Sequence, residues 1–139
     1  MAKGNETVEW ACGLPHIMAG RVLEVSKGIE CCEKRTPIGV CAAIVPFNFP
    51  FMVPMWTIPI SLVTGNVVIL KPSEKVPMTM TRVIDLFVEA GVPPGVFQVV
   101  HGAVDVVNAL CDHKDIAAVS FVGSSKVATA NSILLLTLF

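Results

Sequence analysis

Apolar positions along this chain fall into short continuous blocks that alternate with stretches of helical spacing. Ile38-Gly39-Val40-Cys41-Ala42-Ala43-Ile44-Val45 is an unbroken apolar run stopped by Pro46, the pattern of a strand covered on both faces. Residues 51–64 are apolar nearly all round and long enough for a helix. Pro50 suits its first turn and Gly65 its C′ position, while Pro54 and Pro59 oppose its interior, so a kinked, buried helix is expected. Asn66-Val67-Val68-Ile69-Leu70 reads as a second strand. Pro77 then opens a helix with Met80, Val83, Ile84, Phe87 and Val88 on one face, which Gly91 ends. Beyond the turn Val92-Pro93-Pro94-Gly95, Val96 to Val100 predicts a third strand, and Ala103, Val106, Val107 and Leu110 return to helical spacing. A polar loop over Asp112 to Asp115 precedes a fourth strand, Ile116 to Val122. That strand runs into Gly123-Ser124, small residues suited to a turn into a helix N-terminus. Upstream, Val8, Ala11, Cys12 and Leu14 mark a short or broken helix over Thr7 to Met18, weakened by Gly13 and Pro15. Arg21 to Ile29 reads as a hairpin or an extended arm.

Four alternations of strand and helix argue for right-handed βαβ crossovers. The expected class is α/β: an open parallel Rossmann-like sheet with helices on both faces, incomplete at this length. Composition sharpens this. With 53% hydrophobic and 15% charged residues the chain is apolar for a free-standing domain, so part of its surface is expected to be covered by further chain or a partner subunit. A net charge of -1 without a basic stripe argues against nucleic-acid binding. Five cysteines without a CxxC pair and an N-terminus without an apolar leader argue against a secreted disulfide framework. Cys31-Cys32 has no second ligand pair at zinc spacing, so no metal is expected. The apolar run Ile133 to Phe139 is far shorter than the roughly 20 residues that span a bilayer, so no membrane role is expected.

In a parallel sheet the loops after successive strands leave from one edge, where α/β proteins bind nucleotides. Pro46 to Asn48, Lys71 to Glu74, His101-Gly102 and Gly123-Ser124 are therefore expected to gather there. A nucleotide needs a cation or donor, a carboxylate for ribose hydroxyls and a close backbone approach at a helix start. Lys71, Glu74 and Gly123-Ser124 are those types. Neither GxGxxG after a strand nor a P-loop is present. From spacing alone, a nucleotide-binding edge and ordinary polar loop residues stand about equal. Cys111 and His113 are too close in sequence to read as a nucleophile and its base.

Val45-Pro46-Phe47-Asn48-Phe49-Pro50, Lys71-Pro72-Ser73-Glu74, Gly91-Val92-Pro93-Pro94-Gly95-Val96 and Ala118-Val119-Ser120-Phe121-Val122-Gly123-Ser124, in this order and spacing, resemble motifs of the aldehyde dehydrogenase superfamily. The likeness runs from about Glu6 to Lys126. Phe47, where most of the superfamily has Trp, His101-Gly102 and Cys111-Asp112-His113 resemble in particular the acylating methylmalonate-semialdehyde dehydrogenase branch, an enzyme class of valine catabolism. The resemblance implies NAD as cofactor, an aldehyde as substrate, coenzyme A as acyl acceptor in the full-length enzyme, and a homo-oligomer. It implies that Asn48 is the side-chain donor to the oxyanion and that Lys71 and Glu74 hold the adenosine ribose, with Lys75 adding a contact. Val45 and Phe47 would line the cleft, and Gly123 and Ser124 would meet the pyrophosphate or ribose at a helix start.

On this resemblance, residues 1–36 are the remnant of an N-terminal helix and extended arm, 37–128 part of an NAD-binding domain, and 129–139 an apolar tail without family counterpart. The motif that carries the family's reactive cysteine is expected downstream of anything present, and none of the five cysteines has its context. Two expectations follow: an NAD-binding piece of an aldehyde dehydrogenase that does not turn over aldehyde alone, or a non-catalytic nucleotide-binding or subunit-interaction module.

Overall fold

The structure, a computed structural model, describes residues 1–124; the expected tail at 129–139 and the helix expected after Ser124 lie outside them. In chain order the elements are α1 (Ala2–Ile17), β1 (Val22–Ser26), β2 (Ile29–Cys32), β3 (Val40–Ile44), α2 (Pro54–Val63), β4 (Val67–Lys71), α3 (Pro77–Glu89), β5 (Phe97–Val99), α4 (Val104–Asp112) and β6 (Ile116–Phe121). β1 and β2 pair antiparallel as a hairpin; the other strands form one parallel sheet in the order β5-β4-β3-β6.

That order follows from handedness. Two crossovers, through α2 and α3, step from β3 to β4 to β5; the third, through α4, carries the chain back across the sheet to the far side of β3. Right-handed crossovers running in opposite directions must place their helices on opposite faces. Val53, Met55 and Ile58 with Met80 and Val83 accordingly pack on Ala43, Val68, Leu70 and Phe97 on one face. On the other face Val107, Leu110 and Cys111 pack on Ala42 and Ile44. Ala42 and Ala43 are both fully buried, because β3 lies inside the sheet and is covered above and below.

Both glycines read as helix stops act as such. Gly65 (φ 85°) follows α2, with its N–H donating to the Leu62 carbonyl and that of Asn66 to Ser61. Gly91 (φ 86°) follows α3, with its N–H donating to Val88 and that of Val92 to Phe87. Each is a Schellman closure that a residue with a Cβ would strain.

The helix starts needed correction. α2 begins at Pro54 rather than in residues 50–51, which makes Pro54 a favourable first-turn residue and leaves Pro59 as the proline within the helix. α1 is one continuous helix with Pro15 in its last turn, not a short or broken one. It packs on α2 through Ala11 and Leu14, and Gly4 admits the Phe51 ring so closely that a Cβ would stand 2.6 Å from it. Tertiary packing outweighs the proline, whose penalty is confined to the helix end. No described helix is long and apolar enough to cross a membrane. Among the described residues no group of three His, Cys, Asp or Glu side chains could hold a metal ion.

Candidate functional site

Three hydrogen bonds show that the strands end together. The N–H of Val45 donates to the Lys71 carbonyl (3.2 Å), that of Val100 to Leu70 (2.9 Å) and that of Val122 to Ile44 (3.0 Å). The loops after β3, β4, β5 and β6 therefore leave from one rim. The crossovers from β3 step one way to β4 and return the other way to β6, and at such a switch point two loops diverge and leave a crevice. A cavity of about 410 Å³ occupies it, lined by Pro46, Phe47, Asn48 and Phe49 after β3, Val53 and Trp56 at the start of α2, and Val122, Gly123 and Ser124 after β6. Asn48 also borders a second hollow of about 460 Å³ beside α3. Asn48 thus borders both.

The neighbouring loop joins this rim through Phe47. The Lys75 ammonium lies 4.5 Å from the centroid of the Phe47 ring, a cation–π contact that ties the loop after β4 to the loop after β3. The turn is set by Ser73, a buried residue whose hydroxyl accepts the Lys75 N–H at 3.3 Å. Lys71, at the end of interior strand β4, keeps only 7% of its side chain exposed, and its Nζ stands 3.4 Å from Glu74 Oε2. Glu74 is 55% exposed, so the pair presents a carboxylate outward from a buried cation. The carboxyl is held below the usual carboxylate range, first by a hydrogen bond from its own backbone N–H and then by the Lys71 charge.

The sequence model of the aldehyde dehydrogenase family matches residues 1–132. The chain belongs to the aldehyde dehydrogenase family. It is 53% identical over 128 residues to the malonate-semialdehyde dehydrogenase of Lacticaseibacillus casei, a match covering 91% of this chain and 26% of that protein. Its fold superposes on the methylmalonate-semialdehyde dehydrogenase of Oceanimonas doudoroffii with a TM-score of 0.94 and 42% identity, over 98% of this chain and 28% of the other. The indole-3-acetaldehyde dehydrogenase of P. syringae, solved in complex with NAD+, matches with a TM-score of 0.89 and 39% identity, over 96% of this chain and 27% of that one. The chain spans about a quarter of the length of these relatives.

In this aldehyde dehydrogenase chain the residues expected at the site divide into three groups. Phe47, Asn48, Gly123 and Ser124 share one cavity wall. Lys71, Glu74 and Lys75 form the adjoining rim, linked to that wall through Phe47. Val45 sends its side chain into the core under α2 and α3, so only its backbone lies at the rim. His101 is exposed and absent from the cavity wall, so the gathering of all four loops is not complete. Cys111 is buried on the sheet-facing side of α4, while His113 accepts the Asp115 N–H on Nδ1, which makes them packing and turn residues. Sequence reasoning missed Phe49, Val53, Trp56 and Val122 as lining residues. The available signal was the position of a helix start directly behind a strand-end loop. Gly123 has a local reason to be glycine as well, since a Cβ there would lie 2.5 Å from the Phe121 ring.

Proposed function

We propose that this chain supplies the NAD-binding cleft and the oxyanion-donating side chain of an acylating semialdehyde dehydrogenase. The observation that carries this reading is the shared cavity. Asn48 and Gly123-Ser124, far apart in sequence, line one crevice at the switch point, and the Lys71–Glu74 pair stands on the adjoining rim. A cavity of about 410 Å³ falls within the usual range for small-molecule sites. The exposed Glu74 carboxylate and the Cβ-free Gly123 fit a ribose and a pyrophosphate respectively.

In this reading Glu74 accepts from the ribose hydroxyls and Lys71 keeps its carboxylate ionised and aimed. Gly123 and Ser124 let a phosphate approach the backbone, and Phe47, braced by Lys75, closes one side. NAD, when bound, accepts hydride from the substrate carbon. Asn48 donates from its amide to the carbonyl oxygen of the aldehyde as negative charge develops there, a contribution of about 3 kcal/mol to the transition state. No cysteine lines the cavity among the described residues, so the nucleophile belongs to the portion of the full-length relatives that this chain does not span. Semialdehydes of the malonate type are the substrates, by likeness to the relatives named above, and coenzyme A is the acyl acceptor that the sequence motifs imply for the full-length enzyme.

Trp56 borders the cavity and is 46% exposed, which makes it a reporter. Titration of NAD into a Trp10→Phe background is expected to give a saturable change in Trp56 emission, weakened about tenfold or more by Glu74→Gln. An emission trace that stays flat up to millimolar NAD refutes the reading. The subunit-interaction reading draws support from the β1–β2 hairpin, where Val22, Leu23, Val25 and Ile29 are all exposed. On that reading the hairpin is the association surface of a homo-oligomer.

A further inference from the structure

Thr57 on α2 and Ser120 on β6 meet hydroxyl to hydroxyl at 2.9 Å, in a part-buried position. It joins residues 63 apart in sequence, whereas the side-chain pairs Lys3–Glu6, Thr64–Asn66, Lys71–Glu74, Arg82–Asp85 and Arg82–Glu89 each join neighbours on one element or turn. Its place in the fold gives it significance. Trp56 immediately precedes Thr57, and Val53 lies one helical turn earlier; both form one wall of the switch-point cavity. Val122, Gly123 and Ser124 follow Ser120 within four residues and line the same cavity. Neither hydroxyl lines the cavity itself; each lies within two residues of a lining residue, so the pair ties α2 to β6 just behind the cleft.

The rest of that contact is apolar. α2 rests on the sheet through Val53, Met55 and Ile58, and burial of that kind is non-directional, so it fixes that the helix lies down but not where it stops. Two hydroxyls that satisfy each other add little net stability, because replacing both with apolar groups of the same shape is close to neutral. What they add is direction and distance. We propose that Thr57 and Ser120 are positioning residues which set the width of the cleft between the start of α2 and the loop after β6, and through it the affinity for the dinucleotide. The proposal rests on the NAD-binding reading above.

The test uses the 139-residue chain in the Trp10→Phe background, with NAD affinity read from Trp56 emission and stability from thermal unfolding. Thr57→Val and Ser120→Ala are each expected to weaken NAD binding about fivefold. The double variant is expected to bind no worse than the weaker single variant and to unfold within a few degrees of the parent. Thr57→Ser, which keeps the hydroxyl, is expected to bind within about twofold of the parent. Loss of affinity without loss of stability, recovered by the serine, supports the proposal. Variants that bind like the parent overturn it, as does affinity that falls only in step with the unfolding temperature. A parent that shows no NAD binding brings down the functional reading and this proposal together; a parent that binds while the variants match it brings down this proposal alone.

Discussion

Two of the five cysteines, Cys41 and Cys111, are buried in the core, and burial pushes both thiols up from their ordinary value. Cys12, Cys31 and Cys32 are exposed. An aromatic disulfide reagent at about pH 8 is expected to titrate the three exposed thiols quickly and the other two only on unfolding. Rapid reaction of all five in the folded protein would contradict the packing of α4 on the sheet and of the start of β3. A raised thiol stabilises the fold fully below the unfolded thiol pKa and loses that contribution as pH climbs through the folded value, so the core cysteines disfavour alkaline conditions. Glu74 behaves in the opposite sense. Its lowered carboxyl stays ionised to more acid pH than an ordinary glutamate, and protonation removes the acceptor proposed for ribose. NAD affinity is therefore expected to decline at a lower pH than titration of an ordinary glutamate, near about 4.3, would give. Binding that drops already above that value would count against Glu74 as the acceptor. The residue types at this rim were legible in Lys71-Pro72-Ser73-Glu74, whereas the asymmetry of the pair was not. Lys71 is buried because β4 lies between β5 and β3, and a strand's neighbours are not written in its own residues.

At the scale of elements, the join between β3 and β4 away from the cleft depends on one side chain. Asn66 Oδ1 accepts the N–H groups of Ile38 and Gly39 at 2.7 and 3.0 Å, and its Nδ2 donates to the Thr64 hydroxyl at 2.8 Å. Asn66→Ala leaves the Ile38 and Gly39 N–H groups without their side-chain acceptor in a part-buried position, while Thr64 keeps its bonds to Ile60 and Ser61, and is expected to cost about 2 kcal/mol, measured by urea unfolding. A change below about 0.5 kcal/mol would mean that water replaces the amide there. Strand and helix identities were legible because period and punctuation are local: Gly65 and Gly91 stop their helices where expected, β3, β5 and β6 fall within their apolar runs, and β4 passes its own by one residue, Lys71. The misreadings have a shared cause. The start of α2 was judged from proline and the continuity of α1 from Gly13 and Pro15, and both were settled by contacts between residues far apart, Gly4 with Phe51 above all.

For the whole molecule, the reading above separates binding from turnover. The 139-residue chain is expected to bind NAD yet release no NADH from malonate semialdehyde, because no cysteine lines the cavity that holds Asn48 among the described residues. Absorbance growth at the NADH wavelength with purified chain would overturn that. The amino-acid sequence by itself determined the alternation of strands and helices, the turns that end them and the chemical types at the strand ends, since each depends on a few adjacent residues. Only the tertiary structure decided that β6 lies beside β3. That adjacency brings Asn48 to Gly123, Trp56 to the cleft wall and Thr57 to Ser120. The reason is physical: strand order is chosen by crossover handedness and by which faces can be buried together, and both are properties of the assembled chain rather than of any segment.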